Sequence, residues 1–142
     1  MGLLYAGMTY YLRPQQVRIQ ANGDLVIQRA PDGHFYAPGR IQGREVMFLV
    51  DTGASLVTVS ETFARQAQLT GGTSTVFRTA NGDRPGRIVE GIPVQIGPVE
   101  VNRVRIGIVL SVGDDNQALL GQSFLSKFDV ILGKDQMVLK PR

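Results

Sequence analysis

A carboxylate stands at the end of an apolar run in Val46-Met47-Phe48-Leu49-Val50-Asp51-Thr52-Gly53-Ala54-Ser55-Leu56-Val57, and apolar residues resume just beyond it. Burying a lone carboxylate is costly unless it is hydrogen-bonded, paired or protonated. Thr52 supplies a hydroxyl, and Gly53 lets the backbone turn sharply and aim amides at the carboxylate. An aspartate capping the turn after a strand would account for the three letters Asp-Thr-Gly; the apolar frame on both sides makes the position more specific than they are. The other chemistries have little to work with. Zero cysteines remove disulfides, thiolate nucleophiles, iron–sulfur clusters and cysteine-ligated zinc together. The single histidine, His34, sits beside Asp32-Gly33 as a turn residue and leaves little for histidine-built metal centres or a Ser/His/Asp hydrolase. Asp114-Asp115-Asn116 lacks the alternating ligand pattern of a calcium loop and is expected to be solvated. No glycine-rich phosphate loop follows a strand.

The elements that must carry Asp51 are short and β-rich. The chain has 142 residues, 43% of them hydrophobic and 19% charged, which fits one folded domain and argues against wholesale disorder. Its 17 glycines suit many tight turns. Turn signals at Asn22-Gly23-Asp24, Pro31-Asp32-Gly33, Gln42-Gly43, Asn81-Gly82-Asp83, Gly113-Asp114-Asp115-Asn116 and Gly133-Lys134-Asp135 separate expected strands at 25–29, 34–41, 45–50, 73–78, 87–96, 99–110, 129–132 and 136–140. Short strands at this spacing predict a sandwich or barrel. Ser60 is expected to cap a helix over 61–68, with Glu61 in the first turn, and a brief second helix is expected over 122–127. Phe63, Phe124, Leu125 and Phe128 read as core. There is also a faint internal echo: an apolar strand runs into Asp51-Thr52-Gly53 and then a helix, and Ala118-Leu119-Leu120 runs into Gly121 and another.

The frame around Asp51-Thr52-Gly53-Ala54-Ser55 resembles the active-site loop of the aspartic proteases, and the single-domain length resembles their retroviral-type, or retropepsin-like, branch. Two further stretches match in the expected order. Thr79-Ala80-Asn81-Gly82 falls where the family's flap hairpin would lie, with Asn-Gly as its turn signal. Ala118-Leu119-Leu120-Gly121-Gln122-Ser123-Phe124-Leu125 resembles the second-half strand, its glycine and the helix after it. Asp129-Val130-Ile131-Leu132 and Met137-Val138-Leu139 look like terminal strands. The likeness covers roughly residues 25–140 and is closest to the bacterial, often membrane-anchored members.

The resemblance implies a mostly β, closed-barrel-like aspartic protease fold with one or two short helices. It implies endopeptidase action through two carboxylates that share a proton around one water. The chain has only one Asp-Thr-Gly, so the second carboxylate must come from a second copy, and a two-fold homodimer is the minimum active unit. By the same resemblance Asp51 is catalytic, Thr52 locks the two loops across the dyad, and Gly53 keeps the carboxylates near coplanar. Ala54, Ser55, Thr79, Ala80, Asn81, Gly82 and Leu119 would contact an extended peptide under a closing flap. No metal or organic cofactor is implied. The flap tip departs from the glycine-rich retroviral pattern, and Ser55 stands where many viral enzymes place a further aspartate that grips substrate backbone. A non-catalytic dimeric β-barrel module binding extended peptides is the alternative from another class, and a regulatory domain that dimerises only after processing is a third.

Charge adds little: 15 basic against 12 acidic residues give +3, with scattered arginines and neither a basic stripe nor stacking aromatics, so no nucleic-acid partner is expected. Residues 1–24 read as an N-terminal extension ahead of a protease domain at 25–142. Residues 1–12 carry no charge and are closed by Arg13-Pro14, with Tyr10 and Tyr11 placed as in an interfacial belt. Twelve residues cannot span a bilayer. The stretch is expected to be the trailing end of a membrane anchor, which would hold the domain facing the periplasm or cell envelope.

Overall fold

The structure, a computed structural model, describes residues 17–142. The strands are β1 (Val17–Ile19), β2 (Leu25–Gln28), β3 (Tyr36–Ile41), β4 (Arg44–Val50), β5 (Val57–Ser60), β6 (Thr73–Thr79), β7 (Gly82–Ile96), β8 (Val99–Val109), β9 (Gln117–Leu120), β10 (Phe128–Leu132) and β11 (Gln136–Pro141). Two short helices interrupt them, α1 (Glu61–Gln66) and α2 (Gln122–Leu125). The chain is mostly β, and six strands close a barrel in the order β3-β4-β9-β5-β8-β7. The ring shuts where β3 meets β7 through Arg40↔Gln95 and Ile41↔Val94. β6 hangs from β7 as the outer strand of a long hairpin, and a second sheet runs β1-β2-β11-β10.

Strand alternation decides what faces inward. Phe48, Val57, Val59, Ile106, Ile108, Ala118 and Leu120 are buried in the barrel, while the residues between them point to the outer face. The second sheet adds Leu25, Ile27, Met137 and Leu139 to the same core, and the helices add Phe63, Phe124 and Leu125. Phe128 stacks on Phe124 with ring centroids 5.1 Å apart. Ser60, fully buried, accepts the Phe63 N–H at 3.0 Å as the expected helix cap. The helix stops at Gln66, short of the expected 68, because Gln68 takes a positive φ of 61°. His34 is an exposed turn residue, as expected.

β5 was not among the expected strands. It is four residues long, and Thr58 and Ser60 dilute its apolar signal; pairing to β8 and β9 makes it a strand. Val17–Ile19, placed in the extension by sequence, pair with β2 through Val17↔Ile27, Arg18↔Val26 and Ile19↔Leu25. The uncharged stretch at 1–12 and Arg13 lie outside the described residues. Among the described residues no helix is long and apolar enough to cross a membrane.

Candidate active site

The internal echo has a spatial counterpart. β4 and β9 run parallel and adjacent, with Leu49↔Leu119 and Val50↔Leu120 in register. Their two exits, Asp51 and Gly121, therefore leave the barrel side by side. The Asp51 N–H donates to the Leu120 carbonyl at 3.1 Å, which ties the first exit to the second.

The loop folds back on its own carboxylate. Gly53 N–H donates to Asp51 Oδ1 at 3.0 Å, the one hydrogen bond to that carboxylate among the described residues, and Ala54 N–H donates to the Asp51 carbonyl at 3.1 Å. Asp51 is half-buried, Thr52, Gly53 and Ser55 are exposed, and Ala54 is half-buried. Gly53 does not adopt a positive φ, so its place in the turn rests on the amide it offers to Asp51 rather than on a left-handed backbone.

α2 clamps this loop from beneath. Gln122 N–H donates to the Ala54 carbonyl at 2.8 Å and Ser123 N–H to the Ser55 carbonyl at 2.9 Å. The Gln122 side-chain amide donates to the Thr52 carbonyl at 2.9 Å. Ser123 Oγ accepts the Val57 N–H at 2.9 Å and donates to the Arg105 carbonyl at 2.8 Å, joining loop, helix and β8. Gly121 permits the approach: a Cβ there would be driven into the Leu56 carbonyl oxygen and stand 2.7 Å from that of Ala54.

Beside the loop lies an outward-facing row. Leu49 pairs with Leu119, Leu119 with Thr58, and Thr58 with Gly107, so these four cross four strands on the face opposite the barrel core. Alternation along β4 puts Asp51 on this face too. Above Gly107 two side chains meet, because a Cβ built there would lie 3.1 Å from the Phe77 ring and 3.3 Å from Leu56 Cδ1. Phe77 pairs with Arg84 close to the hairpin turn, so the tip-proximal part of the β6–β7 hairpin lies over Gly107 beside Leu56, at the end of the loop. The hairpin tip turns at Ala80-Asn81 between Thr79 and Gly82, as its position in the sequence predicts. The positive φ falls on Gly82, at 105°, rather than on Asn81, and Thr79 Oγ1 closes the turn by donating to the Gly82 carbonyl at 2.6 Å and accepting the Asn81 N–H at 3.2 Å.

The structure thus brings Asp51, Thr52, Gly53, Ala54, Ser55 and Leu119 together. It sets Thr79, Ala80, Asn81 and Gly82 at the end of the hairpin, just beyond Phe77. Sequence reasoning missed Leu56, Thr58, Phe77 and Gly107 in the cleft and the loop-holding roles of Gln122 and Ser123. Alternation outward from Val57 and Val59 could have flagged Leu56 and Thr58; the others depend on contacts distant in sequence.

A six-stranded closed barrel with an outward Asp-Thr-Gly loop and an overhanging hairpin defines a retropepsin-like fold. Residues 37–127 match the family model described as "gag-polyprotein putative aspartyl protease", and the chain belongs to that family. It is similar to the crystal structure of a retropepsin-like aspartic protease from Rickettsia conorii, at 30% identity and a TM-score of 0.68, covering 82% of this chain and 89% of that one. Among curated proteins it is 31% identical over 112 residues to an uncharacterized protein in the cobV 5′ region of Sinorhizobium sp., covering 76% of this chain and 47% of that protein. It is 27% identical over 128 residues to the uncharacterized protein RP867 of Rickettsia prowazekii, covering 82% and 51%. The chain spans about half the length of these curated relatives.

Proposed function

We propose that the chain is an aspartic endopeptidase that hydrolyses peptide bonds of protein substrates as a homodimer, with one Asp51 from each copy. The observation that carries this reading is a single half-buried carboxylate, on the outer face beside an apolar row, in a loop held by three hydrogen bonds from Gln122 and Ser123. A structural turn cap needs no such bracing. A preorganised acid–base group does, because small errors in placement are expensive in rate.

The chemistry needs two such groups. The ionised carboxylate takes a proton from a bound water as the water oxygen bonds to the scissile carbonyl carbon. The protonated carboxyl of the other copy gives its proton to the carbonyl oxygen, and a tetrahedral diol results. Return of a proton to the amide nitrogen lets the C–N bond break and releases acid and amine. Thr52, exposed at the loop, is available to lock against the second copy. Leu119, Thr58, Leu56 and Phe77 offer apolar surface to side chains of an extended substrate, and the hairpin tip at 79–82 closes over it. The same proposal puts the domain behind a membrane anchor, facing the periplasm or cell envelope, on the strength of the uncharged stretch 1–12 closed by Arg13.

The test is cleavage of a peptide library read by mass spectrometry from about pH 3 to about pH 8, with Asp51→Ala beside wild type. Expected is a bell-shaped pH profile that the variant abolishes. Equal cleavage by both proteins, or none by a wild type shown to be dimeric, would overturn the proposal.

A further inference from the structure

Register sorts the side chains of the β6–β7 hairpin between two faces. Residues directly opposite on an antiparallel pair share a face. Thr75↔Gly86, Phe77↔Arg84 and Thr79↔Gly82 therefore lie on one side of the hairpin, and Val76↔Pro85 and Arg78↔Asp83 on the other. Phe77 identifies the first side as the one turned to the barrel. Its ring lies in room that two glycines leave, because a Cβ at Gly86 would stand 2.6 Å from the ring and a Cβ at Gly107 3.1 Å from it. Gly107 ends the outward row that begins at Tyr36 and crosses Leu49, Leu119 and Thr58. The second side is open to solvent, with Val76 60% exposed.

Arg84 thus sits on the underside of the hairpin, as the cross-strand neighbour of Phe77, over the Gly107 end of the row. The row itself carries no charge. The Arg84 side chain is exposed and its guanidinium stays near the hairpin tip: Nη1 donates to the Asp83 carbonyl at 3.3 Å, and a Cβ at Gly82 would lie 3.9 Å from the same nitrogen. Among the described residues Arg84 meets no carboxylate. Two neighbouring arginines are committed elsewhere, Arg87 to Glu61 at 3.2 Å and Arg105 to Glu90 at 3.0 Å. Asp83, next to Arg84 in sequence, belongs to the opposite face and shares it with Arg78. Arg84 is left with free N–H donors in a planar fork that fits a carboxylate.

We infer that Arg84 is a specificity-determining residue of the cleft: it binds the carboxylate of an Asp or Glu side chain of the substrate, so that the preferred substrates are peptides with an acidic residue close to the scissile bond. The inference rests on the proposed endopeptidase reading and adds what that reading leaves open, the charge of the peptide. An extended peptide between row and hairpin presents its side chains alternately to one and the other. Apolar side chains suit Leu119, Leu56 and Phe77, and a carboxylate beside Phe77 meets the Arg84 fork. An ion pair in open solvent contributes little, but one covered by the hairpin is shielded from water, and a two-pronged contact between guanidinium and carboxylate is among the stronger polar contacts. In a two-fold pair of chains the subsite occurs twice, once on each side of the scissile bond.

The test uses peptides that differ only by Glu, Gln or Lys at one position, scanned along the residues flanking the cleaved bond. The readout is the ratio of kcat/KM for the Glu peptide over its Gln isostere. Wild type should favour Glu on the order of tenfold at one position on each side of the bond. Arg84→Gln should bring that ratio to parity, and Arg84→Glu should turn the preference at the same positions towards Lys. Arg84 is exposed, so both variants should keep wild-type circular dichroism. Arg78→Gln removes the same charge from the opposite face of the hairpin and should keep the wild-type ratio, which separates a contact from the overall field of the protein. A wild type indifferent to Glu, a preference that survives Arg84→Gln, or one that Arg78→Gln abolishes as fully, would overturn the inference. The protease reading fails separately. Asp51-dependent cleavage with no Glu preference sinks the subsite alone. With no Asp51-dependent cleavage, the same peptides are titrated against wild type and Arg84→Gln by fluorescence anisotropy. A Glu-over-Gln affinity ratio of that order, lost in Arg84→Gln, would leave the subsite standing on a peptide-binding module, and equal affinities would sink it as well.

Discussion

Gly121→Ala tests whether the helix beneath the active-site loop is what holds Asp51 in place. The added methyl would be driven into the Leu56 carbonyl oxygen and stand 2.7 Å from the Ala54 carbonyl oxygen, both main-chain atoms that cannot swing aside. Relief requires the loop and α2 to separate. That movement breaks the bonds from Gln122 N–H to Ala54 at 2.8 Å and from Ser123 N–H to Ser55 at 2.9 Å. Overpacking costs about 1–3 kcal/mol and each lost backbone bond about 1 kcal/mol, so the expected destabilisation is about 3–5 kcal/mol. For a domain of this size that is a fall in Tm of roughly 10–15 °C. The comparison is Gly53→Ala, inside the Asp-Thr-Gly triplet, where a Cβ would meet only Asp51 Oδ1 at an ordinary 3.4 Å and no positive φ has to be kept. Its cost to folding should stay within about 1 kcal/mol. Thermal melts by circular dichroism at fixed protein concentration give the ranking, and peptide cleavage below both melting points gives the effect on activity, which Gly121→Ala should reduce far more than its unfolded fraction explains. A Gly121→Ala protein melting within about 3 °C of wild type, or a Gly53→Ala protein melting lower, would refute the clamp.

Other expectations rest on single contacts. Gln122→Leu removes the side-chain donor to the Thr52 carbonyl and should lower kcat about fivefold at every pH, as expected for one hydrogen bond of about 1 kcal/mol; Gln122→Glu should match it at neutral pH and recover towards wild type in acid, where a protonated Glu can donate. A pH-independent loss in Gln122→Glu would count against this contact. Arg87 grips Glu61 through two bonds of 3.2 Å and donates to the carbonyls of Leu69 at 3.1 Å and Gly71 at 2.7 Å, with both charged side chains half-buried. Arg87→Leu should cost about 2–3 kcal/mol in urea unfolding, discounted for partial solvent access, and Arg87→Lys should recover less than half because an ammonium lacks the fork. Asp32 is held below its ordinary 3.8, first by the Tyr36 hydroxyl at 2.6 Å and then by the His34 N–H at 2.9 Å. A carboxyl lowered in the folded state contributes stability above its ordinary pKa and loses it as pH falls through the lowered value. Tyr36→Phe should therefore raise the Asp32 titration seen by NMR and lower stability at neutral pH, with the difference from wild type shrinking as pH falls through the lowered value; a difference that persists unchanged into acid would contradict this assignment.

The parts of this molecule legible in sequence are those whose signals are local. Ser60 caps Phe63 three residues on, Thr79 to Gly82 close a hairpin, and Asp51 stands out because a carboxylate conflicts with the apolar residues around it. Even there the local rule slipped by one residue, since the turn centres on Ala80-Asn81 and leaves the positive φ to Gly82. What could not be read is whatever depends on distant partners. Gln122 reaches Thr52 across 70 residues, and Ser123 reaches Val57 across 66. Neither side chain is distinctive in its own segment, and only the parallel register of β4 and β9 makes them a clamp. β5 is the same case, a short and partly polar stretch made into a strand by the neighbours it finds. That the chain holds a single Asp-Thr-Gly is likewise read directly from the sequence, and the second copy is what the family resemblance implies. The exposed apolar pair Ile131 and Leu132 is a different kind of fact, visible only once the sheet order leaves β10 at an edge among the described residues.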